Sequence, residues 1–143
     1  MTRSASEIAE QMRSVAHDPV KSREVLAGLF AETVELRHVP RRASDGPIPG
    51  RLLAEVARRE SEAVARALPD LIADDPEITV EADAVRVRRH TTGTLVDGST
   101  IDVRTNTLFG IGDGAIVALQ SDMDEASMQA WRTVLAAGGL EAS

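Results

Sequence analysis

The sequence predicts an α+β fold in which helices pack against one face of a curved antiparallel sheet. Three observations carry that prediction. Apolar residues recur at helical spacing from Ile8 to Phe30 and again over 51–68. From Pro76 onward the apolar period shortens to two, in long stretches separated by two tight turns. Helical spacing then returns around Trp131. Such an order sets the helices apart from the sheet instead of alternating with its strands.

Each element has its own signal. Ser4 or Ser6 can cap a first helix, with Ile8, Met12 and Val15 on one stripe and Ala5 and Ala9 beside them. The junction His17-Asp18-Pro19 ends that helix and begins a second, Asp18 as N-cap and Pro19 at the first helical position. Val25, Leu26, Leu29 and Phe30 form the apolar stripe of the second helix. Over 33–40 the period falls to two: Val34, Leu36 and His38 share one face, Glu35 and Arg37 the other. The stretch RRASDGPIPG, Arg41–Gly50, is rich in Gly and Pro and reads as a loop forming a rim or lid. Leu52, Leu53, Val56, Ala57, Ala63, Val64 and Leu68 then cover one side of a helix, with Arg58, Arg59, Glu60 and Glu62 on a solvated side.

The remainder is a meander. ITVEAD and AVRVRRHTTGTL lead to an Asp-Gly turn at Val96–Ser99; TIDVRTNTLFGI returns to a second turn at Gly112–Gly114; AIVALQSDMD runs forward again. Asp124 or Ser127 starts a last helix containing Met128, Trp131, Val134 and Leu135, and Gly138–Leu140 supplies its stop.

Composition excludes several function classes. A chain of 143 residues, 43% hydrophobic and 27% charged, reads as a single domain over 1–143 with a real core. Its aromatics are two Phe and one Trp, so the core is aliphatic and no mechanism can use a tyrosine. A net charge of −7 without a basic, aromatic-studded stripe argues against nucleic acid. The absence of cysteine removes disulfides, zinc–thiolate sites and thiol nucleophiles. The N-terminal stretch is charged throughout and no apolar run reaches the roughly 20 residues a membrane span needs, so a cytoplasmic protein is expected. No phosphate-cradling glycine loop or metal-ligand cluster is visible, and neither cofactor nor metal is expected.

One feature points to a site. Strict alternation places Asp122 and Asp124 on the face of Ile116 and Ala118. A carboxylate on a core-seeking face is costly in a closed interior, so a cavity is expected there. Asp124 reads better as the N-cap of the last helix.

The order α-α-β-α-β-β-β-β, with the stretches LAGLFAETVELRHVP, VRVRRHTTGTLVDGSTIDV and NTLFGIGDGAIVALQSDMD, resembles the nuclear transport factor 2-like (NTF2-like) superfamily. Within it the chain is similar to the SnoaL-like polyketide cyclases, the limonene-type epoxide hydrolases and the ketosteroid isomerases, over essentially its whole length. The resemblance implies a cone, in which a bent sheet wraps the N-terminal helices and leaves a pocket at its open end, and a homodimer through the outer face of the sheet. It implies an acid–base aspartate at Asp122 with His38 as its polar partner. Arg88 and His90 match an arginine–aspartate pair, although a shift of one would substitute Arg89 and Thr91. Thr105, Thr107 and Phe109 share a face and are expected to line the pocket, with Trp131 packing against the sheet or covering the mouth. The tyrosines of the isomerases and epoxide hydrolases have no counterpart here, so neither mechanism transfers directly. The expected function is cofactor-free proton transfer, as isomerase, cyclase or hydrolase, on a small apolar or polyketide-like molecule. The alternative is a binding or dimerisation module of the same fold whose cone is plugged by side chains.

Overall fold

The computed structural model describes residues 3–73 and 75–140, apart from the side chains of Pro19, Val20 and Ala73. Its elements run α1 (Ala5–Val15), α2 (Pro19–Leu29), β1 (Phe30–Val39), β2 (Gly46–Pro49), α3 (Gly50–Ala67), β3 (Ile72–Ala73), β4 (Glu77–Glu81), β5 (Ala84–Thr94), β6 (Thr100–Gly112), β7 (Ala115–Asp122) and α4 (Glu125–Ala137). Ser4, not Ser6, caps α1: its hydroxyl accepts from the Glu7 backbone N–H while the Glu7 carboxylate accepts from the Ser4 N–H. Asp18 accepts from the Lys21 N–H at 3.1 Å at the start of α2. Asp124 caps α4, accepting from the Ser127 N–H at 2.7 Å.

One curved sheet holds all seven strands, in the order β2-β1-β7-β6-β5-β3, with β4 also pairing β5. The sheet is mixed, not wholly antiparallel as expected, because β1 and β7 pair in parallel. About half of the chain, residues 40–114, separates those two strands, which leaves ample length for the crossover that parallel pairing demands. The Arg41–Gly50 segment is also more ordered than a loop: Gly46–Pro49 pairs antiparallel with β1. Pro47 and Pro49 are tolerated there because β2 forms the edge of the sheet. In the β6–β7 turn Asp113 and Gly114 both have positive φ, 52° and 76°, the pair of left-handed residues that a two-residue hairpin requires.

Two apolar clusters form the interior. The first joins α1, α2 and β1 to Ile78, Val85, Phe109 and Ile116. The second joins Ala63, Val64 and Ala67 of α3 to Val134 and Leu135 of α4 and to Leu95, Ile101 and Val103. The buried side of α3 is rotated from the expected one. Leu53, Ala63 and Val64 are buried, but Leu52 and Val56 stand on an adjacent stripe and are 49% and 38% exposed.

A bulge in β7 decides which of its side chains reach the interior. Gly110 pairs Ala118 and Ile111 pairs Ile116, so Val117 is an extra residue in β7. Beyond it the alternation of the strand is inverted.

Candidate functional site

The inner face of the sheet follows from the register, because residues directly paired across strands share a face. Val85, Phe109, Leu119 and Leu36 form one apolar row across β5, β6, β7 and β1. The next row is Val87, Thr107, Ser121 and His38. Arg89 and Thr105 come after it, and then Thr91 with Val103 leads into the second apolar cluster. A polar belt therefore crosses the inner face between two oily regions.

His38 is held on this belt by a residue that the sequence patterns do not single out. The Asp45 carboxylate accepts from His38 Nδ1–H at 2.5 Å, and its other oxygen accepts from the backbone N–H groups of His38, at 3.0 Å, and Arg42, at 3.1 Å. The two side chains are only 16% and 7% exposed. Burial alone would raise the Asp45 carboxyl, but the hydrogen bonds from His38 and Arg42 override it and hold it at about 2, below the ordinary 3.8. With Nδ1–H committed to Asp45, the neutral imidazole keeps its lone pair on Nε2.

Glu60 is the second addition. Although its place among charged residues suggests a solvated side chain, it is a partly buried α3 residue that accepts from Trp131 Nε1–H at 3.2 Å. Burial pushes its carboxyl above the usual range, against the Trp131 hydrogen bond and the nearby charges of Arg42 and His38. Trp131 thus ties α4 to α3 through a polar contact as well as by packing. A consequence can be measured. A carboxyl raised on folding favours the fold below its unfolded titration and loses that advantage as pH rises through its folded one. Glu60→Gln keeps an acceptor for Trp131 without a charge, so it should melt a few degrees above the parent at pH 7 and at the parent's temperature near pH 4.

A cavity of about 200 Å³ lies between the N-terminal helices and the belt. Met12, Ala16 and Leu26 come from the helices, Ile78 from β4, and Val87, Arg89, Thr105, Thr107 and Phe109 from the inner face of the sheet. Asp122, His38 and Trp131 are not among its walls; His38 lines a separate cleft with Leu36, Arg41 and Asp45. The bulge at Val117 places Asp122 opposite Asn106 and Val39, on the face turned away from His38 and Ser121. There it is exposed, in an open outer groove with Arg88, His90 and Asn106. The expected pairing of Asp122 with His38 across a pocket is corrected accordingly.

Arg88 and His90 are likewise on the outer face, where Arg88 pairs with Glu77 at 3.1 Å and His90 Nε2 lies 2.9 Å from Asp102. The shifted register is the one the structure adopts, with Arg89 and Thr91 inward. Among the described residues no three His, Asp or Glu side chains are arranged to hold a metal ion. Among those residues, too, no helix is long and apolar enough to cross a membrane.

A curved sheet packed on helices is the fold this chain shares with solved NTF2-like and SnoaL-like structures. A SnoaL-like polyketide cyclase candidate from Jannaschia sp. superposes with a TM-score of 0.61 at 19% identity, covering 90% of this chain and 93% of its own. An NTF2-like protein of unknown function from Burkholderia pseudomallei gives 0.58 at 16%, covering 87% and 93%. An isomerase candidate from Bacillus subtilis gives 0.57 at 14%, covering 96% of both chains. No protein-family model and no curated protein matches the sequence.

Proposed function

We propose that this chain binds a small, mainly apolar molecule at the inner belt and moves a proton on it without a cofactor. The observation that carries this reading is the His38–Asp45 pair on the inner face of the sheet. A histidine whose one ring nitrogen is held by a carboxylate presents the other as a base, and such a pair works near neutral pH. Asp45 positions the ring; His38 takes the proton. Isomerisation or an aldol-type cyclisation needs little more than a base and a donor for the developing oxyanion. The names of two solved relatives of this fold, a cyclase candidate and an isomerase candidate, are in keeping with that chemistry.

The test is deuterium incorporation next to a carbonyl, monitored by NMR in D2O with cyclohexanone and 2-tetralone as probes. His38→Gln should slow the enzyme-dependent exchange by about 10²–10⁴-fold in protein that is still folded at the assay temperature. Equal rates for parent and variant would remove His38 as the base. A second reading, a binding module without chemistry, is favoured by one observation. The cavity of about 200 Å³ is smaller than the roughly 300 Å³ at which ligand sites usually begin. Binding of the probes without exchange in the parent protein would decide for it.

A further inference from the structure

Three arginines on one strand are treated in two different ways. Arg86 donates to Glu81 and to Asn106, and Arg88 pairs with Glu77, both on the outer face. Arg89, between Arg88 and His90, turns inward and lines the cavity with Thr105, Thr107 and apolar side chains such as Leu26, Ile78 and Phe109, and is half-buried where that cavity adjoins the open groove of Asp122. It makes no hydrogen bond and no ion pair with any described residue. Acidic residues are not scarce in a chain that carries 23 of them, yet none of the described ones pairs with it. Burial lowers its pKa, and no neighbouring carboxylate opposes the shift. An uncompensated cation beside an oily cavity is unfavourable unless something outside the chain neutralises it.

From this geometry we infer that Arg89 is the anchor for a carboxylate, and that the ligand of the belt is a small apolar acid. The guanidinium matches a carboxylate with two parallel N–H···O bonds, and the Thr105 and Thr107 hydroxyls are adjacent donors. The space suits a monoanion of modest size, since a cavity of about 150 Å³ already holds a benzene ring. A single cation and mainly apolar walls favour a carboxylate over a doubly charged phosphate. In the sheet β5 and β1 are separated by β6 and β7. The cavity that Arg89 lines does not reach His38, so the acid group is anchored at the opposite side of the inner face from that histidine. This inference rests on the proposed function for what happens to the ligand, but not for how it binds.

The experiment compares benzoate, phenylacetate and cyclohexanecarboxylate with their neutral amides, by thermal shift and by NMR titration of the parent, Arg89→Met and Arg89→Lys. The acids should raise the melting temperature of the parent and the amides should not. Arg89→Met should bind the acids at least tenfold more weakly, and Arg89→Lys should lie between. Without any ligand, Arg89→Met should melt above the parent, since it removes an unpaired charge; a merely structural arginine would show the opposite. Acids that bind no better than amides, acids that bind Arg89→Met as tightly as the parent, or acids that fail to bind at 10-millimolar concentrations (roughly a hundredfold above a typical metabolite KM) would each overturn the anchor. His38-dependent exchange of cyclohexanone would survive such an outcome, so the two failures can be told apart.

Discussion

Gly138→Ala is expected to cost the fold about 3 kcal/mol and to lower its melting temperature by about 10 °C. The residue comes directly after α4, and its φ of −84° suits any amino acid. Space is what forbids a side chain. A methyl group there would stand 2.1 Å from the Ala63 carbonyl oxygen and 2.7 Å from the Ala63 Cα. Ala63 is wholly buried in α3, so the obstacle is helix backbone and cannot swing aside. Arg66 Nε–H donates to the Gly138 carbonyl at 2.9 Å and fixes the approach from the other direction. Relief requires α3 and α4 to separate, which opens the second apolar cluster. Gly28→Ala is the matched control: Gly28 lies within α2 with nothing within 4 Å of the added carbon. It should stabilise by about 0.5–1 kcal/mol. Differential scanning calorimetry of the two variants tests the pair, and a Gly138→Ala protein that melts with the parent would show that the helices do not meet so closely.

Asp45→Asn is expected to slow proton exchange on carbonyl probes by about 10-fold or more and to change how the fold responds to acid. The asparagine is nearly the same shape, but its amide cannot serve as the charged acceptor for His38 Nδ1–H and for two backbone N–H groups at once. The sign of the pH effect comes from the lowered carboxyl. A group that titrates at about 2 folded and at 3.8 ordinarily contributes its full stability above pH 4 and loses it as the pH falls toward 2. The parent should therefore shed stability over that window, and Asp45→Asn should lack this component while starting lower at pH 7. Melting curves at pH 7, 4 and 2.5 give the comparison. Parallel curves for the two proteins would mean that Asp45 does not hold the 41–45 segment to β1.

Much of the fold is legible in the sequence because period and turn chemistry are local signals. The capping box at Ser4, the Asp124 cap and the Asp-Gly turn before β7 are each written within a few residues. β2 is not, because prolines at Pro47 and Pro49 speak for a loop unless the strand is known to lie at an edge. The site is legible in part. His38, Thr105, Thr107 and Phe109 fall on the inner face as alternation predicts. Asp122 does not, because alternation counts residues and a bulge adds one that the sequence does not mark. Arg88 and Arg89 are neighbours of the same type, so only pairing with β6 decides which of them turns inward. Glu60 carries a readable signal, since Leu53, Ala57, Glu60, Val64 and Ala67 recur on one helical stripe. Asp45 has a weaker one: a histidine on a core-seeking strand face needs a partner, and the loop after it holds an acid seven residues on.

The surplus residue at Val117 also sorts charge. By leaving Asp122 outward and Ser121 inward, it keeps one acid of a molecule of net charge −7 away from the mainly apolar cavity that Arg89, Thr105 and Thr107 line. Paired with β6 without that bulge, the same residues would put Asp122 on the face of Ile116 and present a carboxylate to Arg89's side of the sheet. The electrical character of the chamber is thus set by how one strand is paired as well as by which residues it contains.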